Sequence, residues 1–412
     1  MVSPVKLALS LVLSLASYVC YSQLSFQVYN TSNSALPFNT VRCLKIDTVN
    51  QLIWAGTDDG LASFDGTSWN VYNSVNSPLT DDAIRSLQMD VFGKIWVGTT
   101  YGGLFSFDGS NWINYTNFNS GLQDNYIRAI AFDDQNNMWL ATTEGISRYN
   151  GTVWQQWNTA NSILMTNNIT SIAIGNNGEK YFGTINGGVV YIDQFDNLSV
   201  FTIASSNIPD NSTVSIAVDS LGNPWFASPA GGLFLDNAYG GPWTNFNVSN
   251  SSLPSNGLTS VAISEQQSVF IGSEQNGLII KHENDWFVYD QTNSGMPSAH
   301  ILSLAIEDNT TLWLGTYNHG LVKMVGNYAN ITEQISAQTI NVYPNPTQII
   351  LEVDLGLIDR VDYQIVDNFG RNIEHGTAIG SHFSVHTEYL EEGMYFLILS
   401  SQSAPIKFQK IN

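Results

Sequence analysis

The chain has 412 residues, 43% apolar and 12% aromatic but only 12% charged, with 14 basic against 35 acidic side chains and a formal charge of −21. So acidic a surface repels phosphate backbones, and no run of Lys and Arg interrupts it, which argues against nucleic acid as a partner. The length accommodates two folded domains, and the wealth of Tyr, Phe, Trp, Thr, Asn and Gly favours strands and turns over helices.

At the N-terminus Lys6 precedes an apolar run from Leu7 to Val19, and Cys20-Tyr21-Ser22 places small residues three and one positions before Gln23. This layout predicts a secretory signal peptide over residues 1–22, cleaved near Ser22. A lipidated Cys20 is a second reading, but Tyr18 and Val19 make a poor lipidation box. No other apolar run approaches the roughly 20 residues that span a bilayer. The mature protein is thus expected to be exported and soluble, with no membrane span. Once the leader is removed Cys43 is the only cysteine, so no intramolecular disulfide can form. Its place in an apolar strand reads as a small buried hydrophobe rather than a nucleophile.

From Leu24 onward the chain repeats itself. The cleanest copy of the unit runs from Ser86 to Leu122, and Ala83–Met89, Lys94–Thr99, Gly103–Phe107 and Trp112–Tyr115 read as its four short strands. Asp108-Gly109 predicts a tight hairpin with both central residues at positive φ. The second strand recurs as IWAGT, IWVGT, MWLAT, KYFGT, PWFAS, VFIGS and LWLGT, anchored at Trp54, Trp96, Trp139, Tyr181, Trp225, Phe270 and Trp313. Seven copies at a period of 42–45 residues, with four strands each, predict a seven-bladed β-propeller over residues 23–326.

The fourth strand carries an aromatic pair, as in Trp69 and Tyr72 or Trp112 and Tyr115. The seventh unit lacks that pair after Leu321–Val325, while Phe26 and Tyr29 supply one before the first unit. An N-terminal strand that completes the last blade is therefore expected; it would close the ring and remove an exposed sheet edge. The segment IRSLQMDVFGKIWVGTTYGGLFSFDG resembles the propeller repeats in the periplasmic sensor regions of Bacteroidetes two-component regulators, and the resemblance covers about Leu24 to Val325. This chain shows no kinase or DNA-binding module, so the resemblance implies the fold and a habit of ligand recognition rather than signalling.

Residues 327–338 read as a polar linker, and from Thr339 the texture changes to alternating apolar residues and turn signals. Residues 339–412 predict a small Ig-like β-sandwich. Tyr343-Pro344-Asn345-Pro346, the turn around Gly370, Gly393-Met394-Tyr395 and a last strand ending at Lys410 resemble the type A sorting domain of the type IX secretion system. That resemblance implies passage through the outer membrane with the secretion machinery as a partner, and a final location on the cell surface or outside the cell.

In a four-stranded blade the loops joining strands two and three share a face with the loops joining one blade to the next. Arg42, Arg85 and Arg128 occupy the same place in three consecutive blades, in VRCL, IRSL and IRAI. If that strand is innermost, three guanidinium groups gather at one side of the channel mouth, and their planar forks suit a carboxylate or sulfate. Pairing of each Arg with a nearby Asp or carbonyl is the structural alternative. His300 and His319 fall on the same face, as do Tyr101, Tyr126 and Tyr317, which lie off the repeating core positions. The recurring Trp series reads as packing between blades. No third ligand accompanies the two histidines, and no nucleophile motif or phosphate loop is present, so no metal and no cofactor are expected.

Taken together, these features predict an exported propeller that recognises an extracellular glycan or protein at its channel mouth. An extracellular polysaccharide lyase or hydrolase on the same face is the alternative, and a non-enzymatic structural or adhesive surface protein is the third.

Overall fold

The structure, a computed structural model, describes residues 24–237, 242–326, 341–355, 360–380, 382–399 and 405–411. The expected signal peptide (1–22) and linker (327–338) lie outside the described residues. Two compact units emerge, one holding the repeats from Leu24 onward and one holding the C-terminal segment.

The repeat unit consists of seven four-stranded antiparallel sheets. In the second blade the strands are Ile84–Met89, Ile95–Thr99, Leu104–Phe107 and Trp112–Tyr115, in that order from the centre outward. The first strand of each blade is innermost and touches its counterparts on either side. Ile301–Ile306 of the last blade meets Val41–Asp47 of the first, so the ring is complete. Ser25–Tyr29 forms the outer strand of the seventh blade, antiparallel to Leu321–Val325 with Phe26 opposite Met324. Tyr29 then packs against Phe64 at 4.8 Å and Trp313 at 6.0 Å between ring centroids, which joins the first blade to the last.

Every residue of the IWVGT strand is buried, because neighbouring blades cover both of its faces. The aromatic anchors fill the seams: Trp54 reaches Phe107 of the next blade at 6.5 Å, Trp139 reaches Phe182 at 5.9 Å and Tyr181 reaches Phe226 at 6.2 Å. Burying one such ring contributes on the order of 1.5–3 kcal/mol, and repetition around the ring makes packing the source of stability. The glycine of the GT pair has a steric reason. A Cβ on Gly98 would lie 2.7 Å from Cβ of Ile127 in the third blade, so a side chain there would push the blades apart. The threonine that follows donates its hydroxyl to the carbonyl of the loop glycine, as in Thr99 to Gly103 at 2.9 Å and Thr142 to Gly145 at 2.8 Å.

The Asp108-Gly109 turn departs from the expected two-residue geometry. Phe107 pairs with Trp112, so four residues make the turn, and of the Asp-Gly pair only Gly109 has positive φ, at 93°. The Asp108 carboxylate instead accepts the backbone N–H groups of Ser110 at 2.9 Å and Asn111 at 2.7 Å. Such an Asx turn reverses the chain without forcing Asp108 into the left-handed region.

The C-terminal unit has a three-stranded sheet (Asn341–Tyr343, Ile350–Asp354, His382–His386) and a four-stranded sheet (Asn372–Ile379, Arg360–Asp367, Gly393–Leu399, Ile406–Lys410). Leu351, Val353 and Val385 from the first share one core with Ile365, Leu397 and Phe408 from the second. The motifs singled out in the sequence meet here. Asn345 accepts from the N–H of Gln409 at 3.0 Å and donates to the carbonyl of Lys407 at 3.1 Å, so the Tyr343–Pro346 turn is fastened to the final strand. Gly370, at φ 78°, closes a turn in which Asp367 accepts two backbone N–H groups. Tyr395 stacks on Phe408 at 5.7 Å, and Lys410 is buried.

Candidate functional site

The seven innermost strands line a central channel, and Arg42, Arg85 and Arg128 stand in its wall. Their aim is set by the backbone. The ladder between strands one and two shifts register between Val41 and Cys43, between Ile84 and Ser86, and between Ile127 and Ala129, so each Arg is the extra, unpaired residue of a β-bulge. A bulge re-aims the side chain it carries. The same shift recurs at Thr170, Thr259 and Leu302, which makes this a ring of bulged positions with the arginines confined to three adjacent blades.

Two of the three arginines share one acid. Asp58, from the loop between strands two and three of the first blade, accepts from Arg42 Nε at 2.5 Å and Arg42 Nη2 at 2.8 Å. Arg85 of the second blade donates to the same carboxylate from Nη1 at 2.8 Å, while its Nε donates to Thr100 Oγ1 at 2.7 Å. Burial by itself would raise the Asp58 carboxyl, but the hydrogen bonds and charges of the two guanidiniums outweigh it and hold it below the usual carboxylate range. Arg42 is correspondingly raised by its bond to Asp58.

Arg128 is bound differently. Its guanidinium lies 5.0 Å from the centre of the Tyr126 ring, and its buried Nε has no hydrogen-bond partner among the described residues. Tyr126 thus stands beside Arg128, and the Tyr317 carbonyl accepts from the hydroxyl of Thr40, two residues before Arg42, on the same loop face. Tyr317 stacks on His300, centroids 5.0 Å apart and planes 16° from parallel, and its backbone N–H donates to the carbonyl of His300 at 3.1 Å. Burial lowers the pKa of His300; Glu274 opposes that shift and Arg42 adds to it.

The structure therefore gathers Arg42, Arg85, Arg128, Tyr126, His300 and Tyr317 around the mouth and adds Asp58 and Glu274. His319 makes no hydrogen bond or ring contact with these among the described residues: its backbone N–H donates to Thr316 at 2.9 Å, and its buried Nδ1 has no partner. Tyr101 is 79% exposed on the loop face, held there by its N–H on Asp81. The acids of the blade-to-blade loops are engaged locally, Asp81 on Tyr101, Asp82 on Ser74 and Asp124 on Thr143. The pairing with a nearby Asp, given as the structural alternative for the arginines, holds for Arg42 and Arg85 through Asp58. Its signal lies in the alignment, where Thr100, Thr143, Ile185, Pro229, Glu274 and Tyr317 occupy its place in the other blades. Among the described residues no group of three or more His, Cys, Asp or Glu is placed to hold a metal.

Cys43 faces the seam between the first two blades, where Ile84 and Gly56 surround its sulfur, and burial pushes its thiol up to about 12. A thiol so raised is not a nucleophile at neutral pH. Four of the repeating Trp residues keep to packing, with indole N–H groups held by turn carboxylates, as in Trp96 on Asp90 at 3.0 Å and Trp139 on Asp133 at 2.9 Å.

Residues 341–411 match the family described as Secretion system C-terminal sorting domain, and residues 121–144 match the Two component regulator propeller family. No curated protein matches the chain. Among solved structures, the chain is similar to the extracellular domain of the hybrid two component system BT3049 from B. thetaiotaomicron, at 18% identity and a TM-score of 0.68 over 93% of this chain and 57% of that one. It is also similar to PorZ, a surface component of the type-IX secretion system of Porphyromonas gingivalis, at 19% identity and a TM-score of 0.55 over 91% of this chain and 60% of that one. Virginiamycin B lyase from Staphylococcus aureus matches at 14% identity and a TM-score of 0.60, over 74% of this chain and 99% of the lyase. The chain thus spans less than two thirds of the first two, and at these identities the likeness is one of fold. The chain is a seven-bladed propeller with one segment, residues 121–144, like a two-component-regulator propeller repeat, followed by a segment, residues 341–411, like a secretion-system C-terminal sorting domain.

Proposed function

We propose that this protein is made with a signal peptide over residues 1–22, carried across the outer membrane through an Ig-like sorting domain over residues 339–412, and displayed or released as a binding protein. Its propeller recognises an extracellular glycan or protein through an anionic group at the channel mouth. The observation that carries this reading is Arg128, whose buried Nε has no hydrogen-bond partner among the described residues, near Arg42 and Arg85, which Asp58 neutralises in part. In a chain of net charge −21, a cation in the channel wall with no ion pair among the described residues is a local attractor for a carboxylate or sulfate. Tyr126 supplies aromatic surface beside it, and Tyr317 and the exposed Tyr101 supply more elsewhere on the loop face.

The test is a glycan array probed with the full mature chain, covering neutral, uronate-bearing and sulfated structures. The expected result is selective retention of acidic glycans, weakened at least tenfold in Arg128→Ala. Retention of neutral glycans alone, or equal binding by the variant, would overturn the reading.

One observation favours the enzyme alternative. His300, with its pKa lowered by burial and Arg42 nearby, is an uncharged imidazole at neutral pH and so able to accept a proton. Incubation with uronate-containing polysaccharides, followed by ultraviolet absorbance of unsaturated products, decides for or against a lyase. A passive adhesive role would instead leave every array feature unbound.

A further inference from the structure

A second cavity lies on the face opposite the channel mouth, in the seam between the first and second blades, where Asp47 and Asn50 of one turn meet Asp108 and Gly109 of another. It encloses about 370 Å³, within the size range of small-ligand sites. Its wall includes Trp54, only 6% exposed, whose indole N–H is buried with no hydrogen-bond partner.

That missing partner has a specific cause. In four other blades the indole N–H of the anchor Trp donates to the acid six residues before it: Trp96 to Asp90, Trp139 to Asp133, Trp225 to Asp219 and Trp313 to Glu307, at 2.8–3.2 Å. In the first blade the turn is one residue longer, so Trp54 is seven residues beyond Asp47. The Asp47 carboxylate accepts within its own turn, from the N–H groups of Val49 at 3.0 Å and Asn50 at 2.9 Å and from the Asn50 side chain at 2.7 Å, as Asp133 and Asp219 do while also holding their Trp, so the added residue is what parts Trp54 from its acid. A buried, unpaired N–H is costly enough that native structures nearly always supply an acceptor.

We infer that this cavity is a binding site for a neutral sugar ring, with the Trp54 indole N–H donating to a ring or hydroxyl oxygen. Tyr72 stacked at 6.0 Å and Phe107 edge-on at 6.5 Å pack against the Trp54 ring, so stacking of a sugar on that ring is not the contact inferred. Leu52, Met89 and Ile95 form an apolar wall suited to the C–H face of a sugar, while Ser63 and Asn70 provide donors and acceptors for hydroxyls. The lining contains two carboxylates, Asp47 and Asp108, and no Lys or Arg. Backbone hydrogen bonds from Asn111 and Ser110 lower Asp108, keeping it charged near neutrality. An anionic ligand is therefore repelled and a hydroxyl donor is welcome.

The experiment is ligand-observed saturation-transfer NMR on the full mature chain with glucose, galactose, mannose, N-acetylglucosamine and glucuronate. Two variants accompany it: Trp54→Phe, and deletion of Val49, which restores the six-residue offset and lets Asp47 cap the indole. The expected result is binding of at least one neutral sugar, weakened tenfold or more in both variants, with glucuronate at least tenfold weaker than that sugar. Circular dichroism and the dispersion of the remaining indole N–H signals report whether each variant is folded, and the deletion serves if Trp54→Phe is not. No binding by any neutral sugar, unchanged binding in a folded variant, or glucuronate binding equal to the neutral sugars would each overturn the inference.

Discussion

Arg85 of the second blade donates to Asp58 of the first at 2.8 Å, across the seam between them, on a carboxylate that Arg42 already holds through two hydrogen bonds. One acid thus fixes the directions of two guanidiniums from different blades. The groups are partly open to solvent, with side-chain exposures of 25% for Asp58, 31% for Arg42 and 20% for Arg85. Their worth falls between that of surface and buried pairs.

Asp58→Asn removes the shared charge and leaves two unneutralised cations at the mouth. The expected cost is about 1–2 kcal/mol of stability, read as a lower thermal midpoint. The folded carboxyl is held below its unfolded value, so its contribution is fully present above about pH 4 and is lost as pH falls through the folded pKa. The variant should accordingly lose part of the acid-side slope. An identical acid denaturation curve for both proteins would count against this role.

His300 carries the opposite pH signature. Its folded pKa is lowered by burial, so the unfolded chain binds the proton more readily. Stability should rise as pH increases through the window just below about 6.5, and His300→Gln should flatten that rise. Urea midpoints measured at closely spaced pH values between about 5 and 7.5 test it.

Ring closure depends on the strand Ser25–Tyr29. Tyr29→Ala removes ring contacts with Phe64, Trp69 and Trp313 together, at an expected cost of about 2–4 kcal/mol. Deleting residues 24–29 would also expose the edge of Leu321–Val325, and the truncated chain should self-associate. Gel filtration distinguishes the two outcomes. A monomeric truncation with an unchanged midpoint would contradict closure by this strand.

Under the proposed function, export depends on the other unit. A chain ending near Val325 should reach the periplasm, fold there and stay, because it lacks the segment matched as a sorting domain. Within that segment Asn345 is tied to Lys407 and Gln409 of the last strand, so Asn345→Ala should loosen the motif and reduce surface delivery. Fractionation with immunoblotting reads both, and normal surface display of the truncated chain would sink the assignment.

Much of the architecture could be read directly from the residues. Trp, Gly-Thr and the outer aromatic pair recur because every blade must meet the same two neighbours, so a period in the sequence reports a repeated packing problem. Even the closing strand was legible, since Phe26 and Tyr29 stand at one end of the chain and the missing pair at the other. The Asp108 turn was misread because Asp-Gly also suits an Asx turn of four residues, and the choice lies with which backbone N–H groups the carboxylate reaches.

The sequence by itself determined the seven blades, the closure and the separate C-terminal unit, because those follow from local patterns that repeat or abruptly stop. Tertiary structure alone decided the bulges that turn the three arginines into the channel, the sharing of Asp58 between two blades and the bare N–H of Trp54. Each depends on contacts or register between segments, where shifting the backbone by a single residue changes a side chain's partner. The first-blade turn shows the reason most plainly: one additional residue between Asp47 and Trp54 is trivial in the sequence, yet it separates a donor from its acceptor within one blade.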